Sequence, residues 1–435
     1  MVEITLEDIK AFSKEYNDNP NNKIIENAII NNGLENTMLN RNIIIENQPV
    51  FNIELPESKR YDQKDNYKCW IYAGLNMIKF NIAKNLNVDV KQLQLSANYI
   101  SLFDRLEKAN HAYNNIIEMK NASIKNVIES EITKYCVSEG GYFEWFEAIV
   151  DKYGLIPEQY MPDTKESIDY AKISDLYDKK IKKDIAELII LKQNNANENE
   201  IREKQREYNQ ENYEILSKIL GEPKLTFDFE YKDKDEKMYR FRNITPIDFK
   251  NRFLTLKLEN FVSIGNVPMY NKEYNKVYKR KYLGNLKCTK FLNLPIEDLK
   301  TMVIKQLKDK IPVYMGAHII NYRDKKSGIL DKRLYDYNQT LHVKDLTKEE
   351  ALNFEEITMH HAMVFSGVHI IDDKPIRWKI EDSYGDKEKY NGYYIMNDNF
   401  FDEYVLGIVV DKKYLSEEQK ALLEQEPIEY QDESY

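Results

Sequence analysis

The sequence predicts an α+β protein: a helical half, then a long and mainly helical stretch, then a β half. Helical spacing of apolar residues dominates from Cys69 to about residue 165, as in LSANYISLFDRLEKANHAYNNIIEM and FEWFEAIVDKYG. Charged helical runs such as SDLYDKKIKKDIAELIILKQ and EIREKQREYNQENYEILSKIL follow over residues 166–300. After one more helix, PIEDLKTMVIKQLKDK, the pattern turns to short apolar strands: IPVYMGA, HAMVFSGVHII, IRWKIEDSY, GYYIMN and EYVLGIVVD.

Residues 1–60 read as a helix followed by an extended arm, with the asparagine-rich NDNPNNK marking a turn between them. Residues 61–165 form the helical half, whose FEWFEAIVDKYG segment stops at a glycine. In residues 166–300, NNANENE reads as the tip of a hairpin of helices, and a solvent-facing hairpin satisfies the same pattern. Residues 301–427 are the β half, and residues 428–435 are an acidic tail.

The chain has 435 residues, 42% of them hydrophobic, enough to bury a sizeable core. With 73 acidic and 63 basic residues intermixed and a net charge of −10, it offers no dedicated nucleic-acid surface. Cys69, Cys136 and Cys288 have no short paired spacing, so neither a disulfide framework nor a cysteine metal site is expected. A charged N-terminus without a signal-peptide core, and the lack of a run of ~18 apolar residues, point to a cytoplasmic protein that does not enter membranes.

Cys69 carries the strongest chemical signal. In DQKDNYKCWIYAGLNMIKF it follows a polar turn at Asp65 and Asn66, and Trp70, Ala73, Met77 and Phe80 recur at helical intervals after it. The positive end of a helix favours thiolate, which is the nucleophilic form of cysteine. A cysteine so placed also serves as a small core residue, so a base is needed to make the case. His361 enters an apolar strand in MHHAMVFSGVHI, and Asp382 follows 21 residues later in WKIEDSYG. Successive strand residues face opposite ways, so only one of His360 and His361 can serve. A metal site at His360, His361 and His369 has no ligand spacing to support it, and no metal or other cofactor is expected.

Cysteine, histidine and then a polar orienter is the chain order of papain-like enzymes. The gap from Cys69 to His361 is about 290 residues, against ~130–150 in papain itself, so a large insertion is implied. The segments QK…CW, HAM…GV and WKIEDSYG resemble those of the bleomycin hydrolase and bacterial aminopeptidase C family. So do FSKEYNDNPNNKIIENAI, EGGYFEWFEAIVDKYGLIPEQYMP, YNKVYKRKYLGN, DKKSGILDKRLYDY and LEQEPI, in the family's order across nearly the whole chain.

This resemblance implies a papain-like fold with a cleft between its halves. Cys69 would be the nucleophile, His361 the base preceding Ala-Met, Asp382 the orienter and Gln63 the oxyanion donor with the Cys69 backbone N–H. Gly140 and Gly141 would receive the substrate backbone, and the terminal carboxylate of Tyr435 would hold a substrate's amino group. The implied activity is a cytosolic thiol aminopeptidase acting on peptides, assembled as a homohexamer through the 166–300 region. Several positions depart from the family pattern: Asp382 for asparagine, Tyr384 for tryptophan, Lys68 for arginine, and GGYF for a GGQW-like segment. The tail after LEQEP is shorter than usual, which would leave the cleft partly open. Two alternatives stay beside this reading. One is a catalytically impaired relative that binds peptides or supports assembly, and the other is a transglutaminase-type acyl transferase.

Overall fold

A computed structural model describes residues 2–130, 132–135, 138–280, 287–385 and 392–430. Four short helices come first: α1 (Leu6–Asp18), α2 (Pro20–Asn32), α3 (Leu34–Met38) and α4 (Arg41–Glu46). The sequence reading expects one helix and an extended arm here. The structure differs because Asn19 caps the next helix, accepting from the Asn21 N–H, and Pro20 occupies its first turn. The asparagine cluster therefore starts a helix as well as ending one. The chain becomes extended only from Asn47, through β1 (Ile53–Glu54), to about Gln63, where a turn leads to Lys68.

Next come α5 (Cys69–Leu86), α6 (Ala97–Glu118), α7 (Ile124–Glu129), α8 (Ile132–Tyr135) and α9 (Phe143–Tyr153). α5 is buried almost all round: Trp70, Leu75, Met77, Ile78 and Ile82 are each exposed by 1% or less. Such a helix lies between two packed layers rather than on a surface. α9 ends at Gly154, whose φ of +80° lies in the region open to glycine.

α10 (Tyr170–Gln193) and α11 (Glu198–Leu220) form the expected hairpin, turning at residues 194–197. It is not simply solvent-facing, since Tyr177, Ile181 and Leu188 on one arm and Tyr208, Leu216 and Leu220 on the other join the core around α6. A separate hairpin of β2 (Phe227–Lys232) and β3 (Met238–Ile244) precedes α12 (Pro246–Phe253).

The rest is organised by a 12-stranded sheet. Its further strands are β4 (Phe261–Gly265), β5 (Lys276–Arg280), β6 (Lys290–Asn293), β7 (Val313–Ala317), β8 (Arg323–Asp324), β9 (Ile329–Leu330), β10 (His361–Ile371), β11 (Lys374–Glu381), β12 (Tyr393–Asn397), β13 (Val405–Asp411) and β14 (Ile428–Tyr430). Along the sheet the order is β14-β5-β6-β4-β13-β7-β10-β11-β12-β9-β8, with β1 paired to β10. The stretch 166–300 is thus helical in α10 and α11, carries the separate β2–β3 hairpin before α12, and then supplies three strands to the sheet. β10 runs antiparallel to β7 (His361 opposite Ala317) and to β11 (Val364 opposite Glu381).

Two cores result. One gathers α5, α6, α9, α10 and α11; the other fills the sheet with the helix Ile296–Lys308 packed on it. Phe80 of α5 packs against both, so α5 is the seam between the halves. Among the described residues no helix is long and apolar enough to cross a membrane.

Candidate active site

A cleft of ≈ 790 Å³ opens along that seam, bordered by Gln63, Cys69, Gly140, Gly141, His361 and Tyr384 among others. Cys69 is the first residue of α5, and Asn66 shapes the turn before it by accepting from the Lys68 N–H at 3.1 Å. The Ile71 and Tyr72 N–H groups donate to the Lys68 carbonyl at 2.9 and 3.1 Å, and the positive end of the helix favours negative charge on the thiol of its first residue.

His361 is the first residue of β10, buried, with its Nε2 2.7 Å from Asp382 Oδ1. Asp382 stands just past the end of β11, 2% exposed. Pairing of β10 with β11 therefore sets the distance between the two side chains. Burial alone would push the imidazole down. The Asp382 charge, its hydrogen bond and the Cys69 thiol outweigh that and raise His361 to about 10. Since Nε2 is engaged with Asp382, Nδ1 is the nitrogen left for the thiol. The Tyr384 ring stacks on the imidazole at 5.7 Å and 18°, covering the face where the family pattern has tryptophan.

Gln63 is brought to the same place by backbone pairing. Gln63 N–H donates to the Ser383 carbonyl at 2.7 Å and Gly385 N–H to the Tyr61 carbonyl at 2.8 Å, stitching residues 61–63 to 383–385. The Gln63 side chain is oriented at both ends. Its Oε1 accepts from the Ser383 hydroxyl at 2.6 Å, and its Nε2 donates to the Asn66 carbonyl at 2.9 Å. The amide N–H₂, with a second proton, is thereby the end free to serve an oxyanion.

Gly140 and Gly141 lie on a loop fixed from beneath. Lys108 Nζ donates to the Ser138 and Gly140 carbonyls at 2.6 and 2.8 Å, and Trp70 Nε1 donates to the Glu139 carbonyl at 2.7 Å. A Cβ on Gly141 would sit 2.4 Å from Trp70 Cε2, so glycine is required there by the indole below the loop. Gly140 meets only Ser138 Oγ, at 3.4 Å, and leaves room on its cleft side.

Several cleft residues were not singled out by the sequence. Glu144 in α9 is buried, bonded by the Ser263 hydroxyl at 2.6 Å, and pushed up chiefly by burial. Its carboxyl was hidden in a helical pattern that accounts for FEWFEAIV without it. Tyr430 reaches the cleft wall because β14 pairs parallel to β5, with its ring edge-on to Phe291 at 6.0 Å. The tail therefore enters the cleft region as far as it is described; Tyr435 and Cys136 lie outside the described residues. Lys68, in the arginine position, is buried and donates to the Ser167 carbonyl at 2.6 Å. His360 points away from its neighbour: its Nδ1 lies 3.3 Å from the Thr358 carbonyl, and burial pushes it down to about 4. No group of three or more possible metal ligands occurs among the described residues.

Comparison with known proteins agrees with this geometry. The model for the Peptidase C1-like family matches residues 3–432. Aminopeptidase C of Listeria monocytogenes is 33% identical over 430 residues, covering 98% of this chain and 96% of that protein. Human bleomycin hydrolase is 30% identical over 438 residues, covering 97% and 95%. The crystal structure of PepW from Lactobacillus rhamnosis superposes with a TM-score of 0.93 at 31% identity, covering 99% of this chain and 98% of that one. The chain belongs to the Peptidase C1-like family.

Proposed function

We propose that this member of the Peptidase C1-like family removes N-terminal residues from peptides at Cys69, through a thiol acyl-enzyme. It is a cysteine aminopeptidase, as relatives named Aminopeptidase C and bleomycin hydrolase across nearly the whole chain support. The observation that carries the residue assignment is the buried His361–Asp382 pair at 2.7 Å, whose imidazole is raised to about 10 in part by Cys69.

In the proposed cycle the thiol proton rests on His361 and the thiolate attacks the scissile carbonyl. The resulting oxyanion is held by the Gln63 amide and the Cys69 N–H. Collapse expels the amine of the departing peptide, which takes the imidazolium proton. Water then attacks the thioester with His361 as base, releasing the residue and restoring the thiol. Asp382 acts throughout by orienting the ring and stabilising its charged form. Gly140 and Gly141 receive the substrate backbone.

The entry of β14 into the cleft region supports a tail that closes its far end, with the Tyr435 carboxylate pairing with the substrate's α-ammonium. A homo-oligomer, hexameric by resemblance, is supported by α1. Leu6, Ile9 and Phe12, spaced three apart on that helix, are 81%, 51% and 56% exposed, an apolar stripe suited to a second copy. A nucleophile that must stay reduced supports a cytoplasmic setting.

The test is release of a fluorophore from unblocked aminoacyl amides and from their N-blocked counterparts, with Cys69→Ala as blank. Cys69-dependent cleavage confined to free amines is expected. Equal cleavage of blocked substrates would overturn the tail assignment, and activity in Cys69→Ala would overturn the nucleophile.

A further inference from the structure

The wall of the cleft beyond His361 carries a cation whose hydrogen bonding is incomplete. Arg323, in β8, borders the cleft together with Ile320, Lys325, Met359 and His360. Its Nη1 is buried and has no hydrogen-bond partner among the described residues. The residue is held in place by its backbone, whose carbonyl accepts from the Tyr335 hydroxyl at 3.1 Å and which pairs in register with Leu330. The adjacent carboxylate, Asp324, is turned into its own loop and accepts from the Lys326 and Ser327 N–H groups at 3.2 and 2.9 Å. His360 beside the guanidinium is kept uncharged, first by burial, so it adds no competing cation. Burying part of a guanidinium with an N–H left unsatisfied is costly, and a carboxylate arriving on the cleft side of Arg323 offsets that cost by pairing with its charge.

The direction of the substrate decides which part of it meets Arg323. The amine expelled from the acyl-enzyme takes its proton from His361, so the departing half of the peptide lies on the imidazole side. His360 follows immediately on that side, and Arg323 lies close enough to bias its charge. The chain's own tail borders the cleft through Tyr430, against Phe291.

We propose that Arg323, with Lys325, binds a carboxylate on the departing half of the peptide, making the enzyme selective for substrates that place one there. This rests on the active-site assignment above. The carboxylate comes either from the C-terminus of a short peptide or from an acidic side chain. A lysine in the same wall adds charge without geometry, whereas the arginine fork matches the planar acceptor.

The experiment measures kcat/KM of the full chain on two matched pairs. The first is trialanine against its C-terminal amide; the second is alanyl-glutamate amide against alanyl-glutamine amide. An aminoacyl coumarin amide, with no carboxylate, serves as control. The wild type is expected to favour at least one carboxylate member by about tenfold, mostly through KM. Arg323→Met should erase that preference while cleaving the coumarin amide normally, and Arg323→Lys should restore part of it. Preference in the first pair alone assigns the chain terminus, and in the second alone acidic residues. No preference in the wild type, or an unchanged preference in Arg323→Met, overturns the proposal. Hydrolysis of the coumarin amide by Cys69→Ala would instead mark failure of the active-site assignment.

Discussion

Glu381 and Asp382 are consecutive, both buried, and each leaves its second carboxylate oxygen without a partner among the described residues, yet their surroundings give them opposite tasks. Glu381 Oε1 gathers Arg60 Nη1 at 3.0 Å, Lys79 Nζ at 2.9 Å and the Ser58 hydroxyl at 2.7 Å. Burial would raise its carboxyl, and Lys79 and Arg60 outweigh that and hold it low. The cluster ties β11 to α5 and to the extended strand before it. Among the described residues Asp382 pairs with no lysine or arginine. Its Oδ1 accepts from the His361 Nε2–H and from the Ser383 N–H at 2.8 Å, so the counter-charge these described neighbours offer exists only while the imidazole is protonated. Where the counter-charge is permanent the carboxylate is structural; where it comes and goes with a proton the carboxylate can serve a reaction.

The comparison breaks most visibly at Glu381. In Glu381→Gln, Arg60 and Lys79 are left buried against a neutral amide. Stripping one side of such a cluster should cost about 3–5 kcal/mol, read as a lower urea midpoint. The native carboxyl lies below its ordinary 4.5, so its contribution is present above that pH and is lost as pH falls through the lowered value. Wild type and variant should therefore converge in acid. An unchanged midpoint near neutrality would remove the structural role.

How much of this was readable beforehand follows from the same distinction. Cys69, His361, Asp382 and Gln63 each stand at the start or edge of an element, in motifs with recognisable neighbours, and the structure gathers the four around one cleft. The strand pattern from residue 311 onward was legible because apolar runs were short and bounded. What escaped depended on distant pairing. Nothing in EGGYFEWF says that Glu144 will meet Ser263, 119 residues away. Nor does the polarity of NYRDKK mark Arg323 as half-buried. The helices that follow α1 escaped because an asparagine run has the same composition whether it breaks a helix or caps one.

Asp382→Asn tests the other side of the comparison and should leave the fold intact. With a neutral partner His361 loses the charge that raises it toward 10, and the alkaline limb of kcat/KM should fall by at least about one pH unit. Stability moves with it. Because the folded value lies above the ordinary 6.5, the pair's contribution is complete below that pH and is lost as pH rises through about 10. The stability gap between wild type and variant should thus narrow across that interval. Coincident alkaline limbs would show that Asp382 does not govern the imidazole.

Ser383→Ala sharpens the link between the proposed orienter, Asp382, and the proposed oxyanion donor, Gln63. It removes the 2.6 Å bond to Gln63 Oε1 and keeps the backbone pairing of residues 61–63 with 383–385. A neutral hydrogen bond of this kind is worth about 1 kcal/mol, so kcat should fall about fivefold with KM nearly unchanged. A change confined to KM would place Gln63 in ground-state binding instead.

Glu144 supplies a third buried carboxylate, whose Oε1 accepts from the Ser263 hydroxyl at 2.6 Å, with its own backbone N–H and the Lys287 charge as weaker influences. Burial dominates, and the carboxyl is raised above 4.5, the opposite direction from Glu381. The sign of its contribution reverses accordingly. Above the raised value the folded chain must hold a charge that the unfolded chain carries in water, whereas below 4.5 both states are protonated and the penalty vanishes. Glu144→Gln keeps an acceptor for Ser263 and removes that charge. Near pH 8 the variant should be more stable than wild type by no more than about 1 kcal/mol, with the difference disappearing in acid. A loss of stability at pH 8 would mean that Lys287 offsets the desolvation of Glu144, as Arg60 and Lys79 do for Glu381.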